Sequence, residues 1–150
     1  MSDLKLQLHI NGQERTLYAP AHWTLLEVLR YRAGLAGSKQ GCDKGDCGAC
    51  TVMVDGEALL SCLILAGTCE GREIVTIEGL AQPDSLDPVQ YTFDRCGALQ
   101  CGFCQSGMMM SARALLDKTP NPSLQEINEA LGGNRVQRSG SFRMLNLTQI

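Results

Sequence analysis

Cys42, Cys47 and Cys50 stand in C-x4-C-x2-C spacing, and Cys62 follows after eleven intervening residues. Three thiols at this spacing with a distant fourth are the ligand arrangement of a plant-type [2Fe–2S] cluster. The reason is geometric: the cluster needs thiolates at opposite ends, so the chain must curl around it. Gly41, Gly45 and Gly48 permit that curling and can bring backbone N–H groups near the sulfurs, where they stabilise negative charge. The fourth thiol is expected on the strand ending at Cys62. Structural zinc is the competing chemistry, but zinc favours paired C-x2-C knuckles. Only Cys47 and Cys50 have that spacing in this region. Iron–sulfur chemistry is the better reading.

A second set of thiols is less complete. Cys101 and Cys104 form a C-x2-C pair, and no cysteine follows Cys104. Cys96 lies five residues before Cys101, so these three repeat the spacing of the first set. Cys96 also shares a helical face with Val89 and Phe93, where a free cysteine serves as a small apolar residue. Cys69 falls in a turn and reads as an unligated thiol.

The chain carries eight cysteines in 150 residues, below the density of a disulfide scaffold. Its N-terminus lacks a basic stretch followed by an apolar one, so no secretory signal is expected. The apolar run at residues 62–66 is too short to cross a bilayer. A cytoplasmic protein follows as the expectation, with export alongside a signal-bearing partner left open. In that setting clustered cysteines hold metal more often than they form disulfides.

Composition closes off other classes. Thirteen basic and sixteen acidic side chains give a net charge of −3, and no basic run exists to bind nucleic acid. Hydrophobic residues at 44% suffice for a core. His9 and His22 have no partner at metal-ligand spacing, and Met108, Met109 and Met110 read as core filler. No glycine-rich phosphate loop follows a strand, and no Ser/His/Asp arrangement supports nucleophilic chemistry.

The elements that must position the thiols can be read from the pattern. Leu4, Leu6, Leu8 and Ile10 alternate with polar residues, as in a half-buried strand. Asn11-Gly12 turns the chain, and residues 15–19 return as a second strand. Thr24 caps a helix with Leu25, Leu26 and Leu29 on one face, and Gly34 and Gly37 punctuate its end. Residues 38–50 form a loop. Strands resume at residues 51–54, 57–62 and 74–77. Beyond Gly79 the pattern turns helical. Asp87-Pro88 opens one helix, a second spans about residues 106–118, and Ser123 caps a third with Leu124, Ile127 and Leu131 on one stripe.

The segment Gly41-Cys42-Asp43-Lys44-Gly45-Asp46-Cys47-Gly48-Ala49-Cys50-Thr51-Val52 resembles the small iron–sulfur subunits of the molybdenum hydroxylases. That family includes xanthine dehydrogenase, aldehyde oxidoreductases and isoquinoline oxidoreductase. Three more segments match its motifs in order. They are Thr76-Ile77-Glu78-Gly79-Leu80, Gly97-Ala98-Leu99-Gln100-Cys101-Gly102-Phe103-Cys104-Gln105-Ser106-Gly107 and Leu131-Gly132-Gly133-Asn134.

The resemblance implies an α+β chain, with a β-grasp ferredoxin-like domain over residues 1–80 and a helical, four-helix-bundle-like domain over residues 81–150. It implies that Cys42, Cys47, Cys50 and Cys62 hold one [2Fe–2S] cluster. Cys101 and Cys104 would supply half of a second, and Gln100 would contact a molybdopterin cofactor. A C-x-C pair completes that second site in the family, but here Val136 and Arg138 occupy its positions. The implied partners are a large molybdopterin subunit and a flavin or cytochrome subunit. The implied role is electron transfer during hydroxylation of an aldehyde or N-heterocycle. A stand-alone one-cluster electron carrier or assembly protein is the alternative.

Overall fold

The computed structural model describes residues 3–98 and 100–134. Val136 and Arg138 therefore lie outside the described residues. The N-terminal half is a five-stranded mixed sheet built from β1 (Leu4–Ile10), β2 (Gln13–Ala19), β3 (Thr51–Val54), β4 (Glu57–Leu60) and β5 (Glu73–Val75). The strand order is β2-β1-β5-β3-β4. β1 and β5 run parallel at the centre; β2 pairs antiparallel with β1 and β3 with β5, and β4 lies antiparallel at the far edge.

Both hairpins turn on two residues of positive φ. Asn11 and Gly12 have φ of 53° and 73°, and Asp55 and Gly56 have 53° and 80°. That backbone matches the twist of the flanking strands. The alternation expected in β1 places Leu6, Leu8 and Ile10 in the core, where they meet α1 (Leu25–Tyr31) through Leu25, Val28 and Leu29. Thr24 and Glu27 close a reciprocal capping box at the start of α1.

The C-terminal half holds α2 (Pro88–Arg95), α3 (Gln105–Lys118) and α4 (Leu124–Leu131). Asp87 caps α2 with Pro88 at its first position, and Ser123 caps α4 with Glu126. Phe93 and Val89 pack on Met108, Met109 and Ala112. On another side of α3, Met110 and Ala114 bury against Met53 of β3, with Val75, Ile77 and Leu80 around them. The methionine run is thus core, and it joins the helices to the sheet. No helix among the described residues is long and apolar enough to cross a membrane.

Four expectations need correction. α1 ends at Tyr31, before either glycine. Gly34 takes a positive φ of 73°, but Gly37 does not. A side chain there would meet Ile77 at 2.3 Å, so Gly37 is a packing glycine. The last strand stops at Val75, and residues Ile77–Gly79 form a 3₁₀ turn. Leu124 is exposed and leaves Ile127 as the buried residue of α4, because helix α3 covers only part of the expected stripe. Cys96 is the half-buried C-cap of α2; the helix ends one residue before it, so it leaves the face held by Val89 and Phe93.

Candidate metal centre

The loop between α1 and β3 carries three of the four expected thiols. Its backbone takes positive φ at Asp43, Gly45 and Gly48 (54°, 77° and 72°), which folds it back on itself. Cys50 sits at the entry to β3. Cys62 does not lie on a strand as expected. β4 ends at Leu60, and Cys62 occupies a 3₁₀ turn spanning Ser61–Leu63. The Cys50 carbonyl causes the change, accepting from Ser61 Oγ at 2.6 Å and from Ser61 N–H at 3.4 Å. Those bonds pin the Cys62 turn beside Cys50.

The thiols associate in two pairs. Cys42 stands beside Cys47, and Cys50 beside Cys62. Cys47 also faces Cys62 closely enough to interact electrostatically, so the pairs adjoin. The inner pair is buried with Leu26 of α1 and Leu60 of β4, and the outer pair is half-buried at the rim. Among the described residues, no three His, Cys, Asp or Glu side chains converge on a point that would hold a single metal ion. A [2Fe–2S] cluster distributes its four thiolates over two irons, and two adjoining pairs suit that donor set.

Backbone N–H groups surround the sulfurs. Cys42 Sγ accepts from Asp46 N–H at 3.2 Å, and the N–H groups of Lys44 and Cys47 also face it; the Ala49 N–H faces Cys47, and the Cys62 N–H faces Cys50. Two of these donors, Asp46 and Ala49, directly follow Gly45 and Gly48. Gly41 has a different function: a Cβ there would lie 2.7 Å from Cys47 Sγ and would fill the cradle. The N–H bonds from Lys44 and Asp46 lower the Cys42 thiol to about 7, whereas burial raises Cys47 and pushes Cys50 up to about 11. The fold thus favours the thiolate at Cys42 and the neutral thiol at Cys47 and Cys50. These residues fit an iron–sulfur cluster in number, donor chemistry and surroundings.

The second expected set lies at the start of α3. Cys104 is its N-cap residue, half-buried against the helical core, and Cys101 is exposed. Gln100 is exposed beside it. Phe103, between the two thiols, comes up to the first loop, where a Cβ on Gly41 would stand 3.4 Å from its ring. The two regions therefore adjoin.

Sequence reasoning missed the residues that grip the first loop. The Gly48 carbonyl accepts from Thr51 Oγ1 at 2.7 Å, from Thr51 N–H at 3.1 Å and from Asn134 Nδ2 at 3.1 Å. Ser111 Oγ donates to Asn134 Oδ1 at 2.9 Å. Gly107 lets α3 approach, since a Cβ there would stand 2.1 Å from Gly48 O. Gly107 and Asn134 fall within recognised motifs, but nothing in their local sequence signals a contact 86 residues apart.

Comparison with known proteins agrees with this geometry. Residues 8–74 match the 2Fe-2S iron-sulfur cluster binding domain and residues 76–145 the [2Fe-2S] binding domain. The nicotinate dehydrogenase small FeS subunit of Eubacterium barkeri is 38% identical over 96% of this chain and 92% of its own length. The nicotine 6-hydroxylase small subunit of Paenarthrobacter nicotinovorans is 44% identical over 91% and 82%. Among solved structures, a chain of quinoline 2-oxidoreductase from Pseudomonas putida 86 superposes with a TM-score of 0.93 at 39% identity, covering 99% of this chain and 91% of that one. With a ferredoxin-like sheet, a helical half and relatives of this length and identity, the chain belongs to the family of small iron–sulfur subunits of the molybdenum hydroxylases.

Proposed function

We propose that this chain is the electron-transfer subunit of a multi-subunit molybdenum hydroxylase, and that Cys42, Cys47, Cys50 and Cys62 hold its [2Fe–2S] cluster. The cluster, when bound, takes up and returns one electron. The observation that carries the reading is the adjoining Cys42/Cys47 and Cys50/Cys62 pairs under backbone N–H donors. Those donors favour negative charge on sulfur, and burial of the inner pair by Leu26 and Leu60 excludes water. The division into residues 1–80 and 81–150 follows the same reading, with the thiol loop in the first part.

In this proposal a large partner subunit binds molybdopterin and performs the hydroxylation, and a flavin or cytochrome accepts the electrons. The relatives' names, which include nicotinate, nicotine, xanthine and quinoline enzymes, favour an N-heterocycle as the partner's substrate, with an aldehyde second. Exposed Gln100 is the residue proposed to contact the pterin. A reducing, cytoplasmic setting suits cysteines that act as ligands.

The helical half is proposed to carry no complete second cluster. Cys101 and Cys104 offer two thiolates, and the sequence places Val136 and Arg138 where the family has its other pair. A guanidinium cannot ligate iron and repels it. Purification from the native source tests the function: the chain should travel with a larger, molybdenum-containing subunit, and substrate should bleach its visible absorbance. A monodisperse single-chain carrier without molybdenum would support the stand-alone alternative.

A further inference from the structure

One peptide group links the helical half to the cluster loop. The Gly48–Ala49 peptide presents its carbonyl to Asn134 Nδ2 and to Thr51, and its N–H to Cys47 Sγ. Hydrogen bonds on a peptide carbonyl polarise the same group and strengthen its N–H as a donor. A donor to the carbonyl is thereby felt at the sulfur on the other side. Asn134 is 8% exposed and its amide orientation is determined, because the Gly48 carbonyl can only accept and Ser111 occupies the other end of the amide. Gly48 has a φ of 72°, and a Cβ there would meet Asn134 Nδ2 at 2.5 Å and Gly133 O at 2.6 Å. The peptide is held from β3, from α3 and from the end of α4.

We propose that Asn134, oriented by Ser111, is a positioning residue for electron transfer: acting through the Gly48–Ala49 peptide, it orients and strengthens the N–H donor that faces Cys47 Sγ and so raises the reduction potential of the cluster. The inference rests on Cys47 being a cluster ligand. A stronger N–H donor stabilises the more negative, reduced state over the oxidised one. Packing alone would require only that Asn134 fill space, whereas this function requires its donor.

The test compares Asn134→Ala and Ser111→Ala with the wild type in the full chain and its native assembly. Redox titration followed by EPR reads the potential and g-values, and thermal melting is recorded beside it. Asn134→Ala should lower the reduced-to-oxidised ratio at fixed poise by about two- to fivefold, the equivalent of one modest hydrogen bond. It should also alter the EPR line shape. Ser111→Ala, which leaves the donor but loosens its orientation, should shift the ratio less in the same direction. A lowered melting temperature with unchanged potential and g-values in both variants would overturn the inference and leave Asn134 as packing. If Asn134→Ala fails to retain iron, Ser111→Ala decides: a downward shift supports the proposal and an unchanged potential overturns it. A wild-type chain without any cluster signal would instead refute the ligand assignment beneath it.

Discussion

The loop around Cys42 and the turn around Cys101 carry similar thiol spacings in very different surroundings. The first brings four sulfurs together in two pairs, with N–H donors on them and α1, β3 and β4 behind. The second has one exposed and one half-buried cysteine at the start of α3. Spacing alone would rank the two alike. What separates them is long-range support: Cys62 arrives from a different element, and Ser61 locks it to the Cys50 carbonyl. A C-x2-C pair becomes a cluster site only when the fold returns further thiols to it.

The most severe way to break the contrast is to remove the long-range thiol. Cys62→Ser should abolish most of the visible absorbance and the reduced-state EPR signal, because a serine hydroxyl deprotonates far less readily than a thiol. Retention of both signals would sink the ligand assignment.

The converse is to complete the second region. Val136→Cys with Arg138→Cys should add about two Fe per chain and a second EPR signal. If iron content and spectrum stay as in the wild type, missing thiols are not what distinguishes the regions.

A smaller effect should follow from wedging the two halves apart. In Gly107→Ala the new methyl meets the Gly48 carbonyl carbon and oxygen and Ala49 Cα, all backbone atoms that cannot rotate away. Destabilisation of about 1–3 kcal/mol is expected, read from denaturant unfolding. The EPR signal should broaden, since the strained segment lies between Cys47 and Cys50. An unperturbed spectrum would separate helix packing from the cluster loop.

The smallest effect serves as a control at the far end of β3 from Cys50. The Arg72 guanidinium, and then the Glu73 N–H, hold the Asp55 carboxyl below its usual range. A carboxyl lowered in the folded state stabilises the protein above its unfolded pKa, and that contribution is lost as pH falls through the lowered value. Asp55→Asn tolerates the same positive-φ turn position. It should flatten the acid limb of the melting-temperature profile slightly and leave the single [2Fe–2S] signal unchanged.

Much of this was legible from local pattern. The thiol spacing, the Asn11-Gly12 and Asp55-Gly56 turns and the caps at Thr24, Asp87 and Ser123 each act within a few residues, so the sequence displays them directly. The Cys62 turn is not legible locally, because its cause, the Cys50 carbonyl that Ser61 bonds, lies 11 positions before Ser61. Gly37 looked like a helix stop, yet its missing side chain makes room for Ile77 and Glu78. Asn134 and Gly107 matched motifs without revealing a purpose. Their purpose lies at Gly48, and only the folded chain brings them there.

Quantification of iron and acid-labile sulfide per chain, with EPR of the reduced protein, tests the central claim most directly. The account predicts about two Fe and two sulfides and a single [2Fe–2S] signal, all dependent on the Cys42 loop. About four Fe with two distinct signals would contradict the one-site reading, and an iron-free native complex would contradict the cluster itself.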